Sequence, residues 1–256
     1  MSDLLVEREY YKPFNYPWAF EYYKQQQHMH WLPDEVNLAD DLRDYREKMT
    51  EGNKRLLGQI FRFFTQADVD VCCGYAKHYL PTFKQPEVRM MLSAFAAMEA
   101  VHQEAYSLLL ETLGFRDDEY QKFFEHKEML DKHEYLGNFG MGNPMDIAKT
   151  MAIYSGFTEG VQLFSSFAIL LNFPRHNLMK GMGQIVTWSV RDETLHVEGM
   201  SHLFRAFVKE NPDVWNDDLK YEIYCAAERT VELEDAFIDL CFEGAEVPNL
   251  TPDEIK

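Results

Sequence analysis

Glu99-x-x-His102 and Glu193-x-x-His196 are the only two Glu-x-x-His pairs in this chain, and each lies inside a long apolar, helix-forming stretch. A step of three residues on a helix brings both side chains to one face. Each pair therefore offers one carboxylate and one imidazole inward from a single turn. Two such helices facing each other, with one more carboxylate from each of two further helices, hold two metal ions inside a bundle. Asp68 and Glu159 are the candidates for those two carboxylates. The chain is accordingly expected to be all-α, with a central four-helix core and flanking helices.

The neighbours of each pair support this. Leu92, Phe95, Glu99, His102, Tyr106 and Leu109 step by three or four and form one stripe, as do Val186, Ser189, Glu193, His196, Met200 and Leu203. Glu159 sits on a stripe with Ala152, Ser155, Leu163 and Phe167, and Asp68 follows Phe61 and Phe64 and precedes Val71. Asp70 is turned roughly 200° from Asp68 and is the weaker candidate. Composition alone would produce about one Glu-x-x-His pair by chance. Two pairs, both on apolar faces with a carboxylate on the preceding helix, are harder to produce. Ionisable groups in such stripes are costly to bury alone, and divalent cations remove that cost. Four carboxylates and two imidazoles suit iron or manganese.

A formal charge of −18 argues against affinity for nucleic acid. No apolar run approaches the roughly 20 residues that span a bilayer, and the first residues are no secretory signal. Cys72, Cys73, Cys225 and Cys241 lack zinc-site spacing and read as reduced thiols, with the cytoplasm as the expected compartment. With no Pro/Gly/Ser-rich linker, residues 1–256 read as a single domain. Residues 1–30 read as an extended arm or short helix laid over something else. Helices are expected from near Asp34 through Tyr45, then over Glu51 to Tyr79 (ended by Pro81), Pro86 to Leu113, Asp117 to Leu130, Pro144 to Asn172, Pro174 to Lys209 and Asn216 to Phe242. The Gly-rich run from Gly137 to Asn143 lacks the Lys of a phosphate loop and reads as a connection. Thr251-Pro252-Asp253-Glu254 has a helix-start signature, so a C-terminal tail is expected beyond residue 256.

The segments FFTQAD around Asp68, MEAVHQEAY at 98–106, TEG around Glu159, SVRDETLH at 189–196 and WLPDEVNLADD from Trp31 resemble the small (beta) subunit of class I ribonucleotide reductase. The similarity runs in order over about residues 15 to 255. It implies a ferritin-like fold, usually a homodimer, with Asp68, Glu99, His102, Glu159, Glu193 and His196 binding two metal ions (Fe/Fe, Mn/Mn or Mn/Fe). It also implies that Tyr106 is oxidised to a stable tyrosyl radical and passed to a large (alpha) subunit for ribonucleotide reduction. Trp31 and Asp192 match the family's relay, as a chain Trp31–Asp192–His102. A manganese centre would call for a flavodoxin-like activator. Ser189 departs from the resemblance, which favours an aliphatic residue there. The alternatives are another ferritin-like di-metal oxidase or oxygenase, which usually has Glu at the position of Asp68, or a metal storage protein.

Overall fold

Four helices carry the stripes described above, and local chemistry starts and stops each of them. The computed structural model describes residues 3–256. Helix α1 is Pro17–Met29 and α2 is Ala39–Glu47. Helix α3, Glu51–Gly74, begins where Thr50 Oγ1 accepts the Asn53 amide at 3.2 Å. Helix α4, Pro86–Leu113, has Pro at its first position and ends on Gly114, whose φ of 90° suits glycine. Helix α5 is Lys127–Leu136, and α6, Pro144–Met151, is capped by Asn143. A π-helical segment, Ala152–Gln162, runs from α6 into α7, Leu163–Arg175. Helices α8, Lys180–Glu210, and α9, Asp217–Phe242, complete the set. No strand occurs among the described residues.

Two apolar clusters fill the interior. One gathers the start of α3 (Leu57, Phe61, Phe64), the end of α4 (Tyr106, Leu109), α7 (Phe167, Leu170) and the start of α8 (Met182, Val186). The other gathers the opposite ends, including Tyr75, Phe95, Met200 and Phe207. The buried polar residues of the stripes lie between the two. Each buried large apolar side chain is worth about 2 kcal/mol, so the clusters hold the helices in register around a polar middle layer. Helix α1 lies against α4 and α8, and α9 against the π-helical segment, α3 and α5.

Several boundaries differ from the sequence expectation. Pro33–Glu35 is a separate 3₁₀ turn, because the Glu35 carboxylate accepts the Leu32 amide at 2.8 Å and Val36 is extended. Helix α3 does not stop at Tyr79. It widens to a π-helix over Tyr75–Tyr79 and continues through Leu80–Thr82. Pro81 lacks an N–H, and the looser turns before it accommodate its ring. The expected helix from Asp117 to Leu130 is broken by an extended His126 into Asp118–Gln121, a 3₁₀ turn at Lys122–Glu125, and α5. Pro174 closes α7 rather than opening α8. Helix α8 begins only after Asn177 and Met179 adopt positive φ. The carboxylate of Asp41, from α2, caps it by accepting the amides of Gly181 and Met182 at 2.9 and 2.8 Å. Residues 17–29, expected as arm or helix, are helical, and Pro252–Ile255 forms the turn that the Thr251 signature starts.

Candidate metal centre

Asp68 from α3, Glu99 and His102 from α4, Glu159 from the π-helical segment, and Glu193 and His196 from α8 are all at most 2% exposed. The structure brings all six together. His196 Nδ1 lies 2.8 Å from Glu99 Oε1 and 3.5 Å from Glu193 Oε2. His102 Nδ1 lies 3.5 Å from Glu99 Oε2 and 3.1 Å from Glu193 Oε1. Glu99 and Glu193 each turn one oxygen toward each imidazole. Asp68 joins Glu99 and His102 in one convergent group, and Glu99, Glu193 and His196 form the other. Glu159 flanks the second group, 3.9 Å from His196 Nδ1.

The far side of each imidazole fixes its role. His102 Nε2 faces Asp192 Oδ2 at 3.2 Å, and His196 Nε2 faces Gln26 Oε1 at 3.1 Å. Both acceptors require the Nε2–H tautomer, which leaves each Nδ1 lone pair pointing into the carboxylate cluster. Gln26 Nε2 also donates to Asp192 Oδ1 at 3.2 Å, and Trp31 Nε1 donates to Asp192 Oδ2 at 2.7 Å. One carboxylate thus joins Trp31, His102 and Gln26.

Inside the cluster, both oxygens of Glu99 and of Glu193, one of Asp68, and His196 Nδ1 have no aligned hydrogen-bond partner. Their mutual approaches are close, and with neither a proton nor a cation between them these atoms would be convergent lone pairs. So many orphaned, fully buried acceptors are expensive alone. A pair of divalent cations among them would satisfy all of these atoms, so the donor set fits a two-metal centre. Without cations, protons must serve instead. Burial and the charges of Glu193 and Glu99 push the Glu159 carboxyl well above its usual range, and burial does the same to Asp68. Burial also pushes Glu193 upward, but the two imidazoles outweigh it and hold it at about 2. Burial opposes charge on His196, but Glu193 and Glu99 raise it to about 10. His102 is likewise raised well above its ordinary value, against burial, by Asp192, Glu193 and Glu99.

Tyr106 is one turn beyond His102 and 1% exposed. Its ring packs on Phe64 at 4.6 Å, and its hydroxyl donates to Ser189 Oγ at 3.0 Å. Burial raises its phenol well above the ordinary value. Two residues at this centre escape the sequence reading. Tyr75 is fully buried, and its hydroxyl reaches both Glu159 oxygens at 3.3 and 3.4 Å. Its spacing of seven from Asp68, two turns along one stripe, is a usable signal. Gln26 has none, because Gln25 and Gln27 flank it. The four cysteines are free, and no helix among the described residues is long and apolar enough to cross a membrane.

Comparison with known proteins agrees with this geometry. The family profile "Ribonucleotide reductase, small chain" matches residues 8–256. The probable ribonucleoside-diphosphate reductase small subunit 376L of Invertebrate iridescent virus 6 is 47% identical over 94% of this chain and 72% of its own. Among solved structures, the ribonucleotide reductase R2 subunit from Clostridium botulinum shares the fold with a TM-score of 0.84 at 20% identity, covering 94% of this chain and 77% of that one. The dimanganese(II)-NrdF of Streptococcus sanguinis does so with 0.82 at 21% identity, over 96% and 87%. The helical bundle is therefore of the ferritin-like R2 kind. A match that runs through every element bearing the centre leaves one assignment: this chain belongs to the ribonucleotide reductase small-chain family.

Proposed function

We propose that this chain is the radical-generating small subunit of a ribonucleoside-diphosphate reductase, with Tyr106 as the radical site. Asp68, Glu99, His102, Glu159, Glu193 and His196 would hold two metal ions, iron, manganese or one of each. When bound, such a redox pair supplies a one-electron oxidant beside the phenol. The chain's own residues do the rest. The carbonyl of Gln26 and the carboxylate of Asp192 hold the two imidazoles in one tautomer. Phe61 and Phe64, backed by Phe167, keep water from the phenol. The hydrogen bonds Trp31–Asp192–His102 form a continuous path from near the N-terminal helix to the centre. We assign to that path the passage of an electron and a proton toward a large subunit, which supplies the nucleotide site. A second copy of this chain is the expected partner in a homodimer, and a flavodoxin-like activator would serve a manganese centre.

The observation that carries this reading is the pair of imidazoles with Nε2–H committed and Nδ1 turned toward four buried carboxylates, one turn from a dry tyrosine. Storage has no use for the Trp31 path or for a sealed phenol. The test is to load the protein with iron or manganese, expose it to oxygen or superoxide, and record its electron paramagnetic resonance spectrum. A tyrosyl signal that disappears in Tyr106→Phe is expected. Product from an added organic substrate with no radical would instead mark an oxygenase.

A further inference from the structure

Ser189 stands where the sequence resemblance leads to an aliphatic residue, and it is fully buried in the wall of the Tyr106 pocket. Its Oγ accepts the phenolic hydrogen at 3.0 Å and lies 3.1 Å from the carbonyl of Ile185, one turn back on α8. The serine's own proton is thus held on that carbonyl. The phenol's ring packs beside two aromatic rings, Phe64 at 4.6 Å and Phe61 at 6.5 Å between centroids. Among the described residues, Ser189 is the hydrogen-bond partner of this hydroxyl.

We propose that Ser189 is a positioning residue for the Tyr106 radical, its hydroxyl turning to donate a hydrogen bond to the phenoxyl oxygen. The inference rests on Tyr106 being the radical site. Oxidation breaks the phenolic O–H bond. Held by the six clustered residues, a redox metal pair would supply the oxidant that takes the electron, and the buried carboxylates of that cluster would take the proton. The phenoxyl oxygen is then an acceptor only. Ser189, with one donor and two acceptor sites, can answer by rotation about its Cβ–Oγ bond alone. Its proton leaves the Ile185 carbonyl, which sits in a helix and keeps the backbone partner supplied there. No heavy atom has to move. A wall of aliphatic side chains could not make this exchange. Ser189 therefore keeps the phenoxyl oxygen hydrogen-bonded through the oxidation.

The experiment is high-field electron paramagnetic resonance and deuterium electron–nuclear double resonance on the metal-loaded, oxidised full chain after exchange into D₂O. The parent protein should show one exchangeable deuteron coupled to the Tyr106 radical, and a largest g value lowered by the hydrogen bond. In Ser189→Ala the coupling should vanish and that g value should rise, at unchanged metal content. Ser189→Thr, which keeps a hydroxyl, should retain the coupling. A merely structural serine would leave the deuteron coupling in place in Ser189→Ala, and that result overturns the assignment of Ser189 alone. A radical absent from the parent, or persisting in Tyr106→Phe, overturns the radical-site reading and this proposal with it.

Discussion

At the scale of single residues, the centre is governed by what stands behind the candidate ligands. Gln26 contributes no atom to the carboxylate cluster, yet its carbonyl fixes His196 and its amide nitrogen steadies Asp192. Removing such an outer partner typically costs 10–100-fold in metal affinity. Gln26→Leu is expected to weaken metal binding by about that factor, measured by competition with a chelator. Metal uptake must also displace the protons that the cluster holds when metal-free, so affinity should fall as pH is lowered. Calorimetric titration in two buffers of different ionisation enthalpy would count the released protons. Stability of the metal-free protein follows the same groups. His196, raised from 6.5 to about 10, contributes stabilisation that is full below pH 6.5 and is lost as pH rises through 10. Glu193, lowered from 4.5 to about 2, contributes stabilisation present above pH 4.5 and lost toward pH 2. Melting of chelated protein should therefore shift downward between pH 7 and pH 10 by more than that of loaded protein. The six clustered residues are legible in the sequence because a metal site would need scarce residue types at fixed helical spacing. Gln26 is not, because its role depends on a helix docking from elsewhere.

At the scale of elements, legibility follows where each stop signal resides. Helix α4 carries its own Pro86 and Gly114, and its expected and observed bounds coincide. Helix α8 does not, because its cap is Asp41, brought from α2 by tertiary packing. The π-helical segment is invisible to a 3.6-residue period, yet it carries Glu159 to the centre, as such widened turns often do at functional sites. The approach of α4 to α8 is tight. A Cβ added at Gly199 would lie 2.9 Å from the ring of Phe95, which packs 4.4 Å from the ring of His196. Gly199→Ala would gain about 1 kcal/mol of helix propensity but incur about 1–3 kcal/mol of overpacking. The balance is a small net loss, expected as a melting temperature lowered by a few degrees in a thermal scan, with reduced metal occupancy as Phe95 is pressed onto His196.

At the scale of the whole molecule, one buried charge pair stands apart from the centre. Lys132 of α5 meets Glu234 of α9, with its ammonium 3.8 Å from the Phe63 ring centroid and 4.5 Å from that of Phe237. Ser165 also donates to Glu234. Burial lowers the Lys132 pKa, and Glu234 only partly offsets that. Lys132→Met would strand the carboxylate and is expected to cost about 3–5 kcal/mol by denaturant unfolding. Lys132→Met with Glu234→Leu should recover most of the loss, since an apolar replacement of both partners removes the penalty. A different dependence between distant parts of the chain comes from Gln26. It sits in the first helix, outside the four that bear the carboxylates and imidazoles, and its two contacts are near residue 194. Synthesis runs from the N-terminus, so this latch leaves the ribosome long before its keeper does. The final closure of the interior therefore waits until the chain has been made past residue 196.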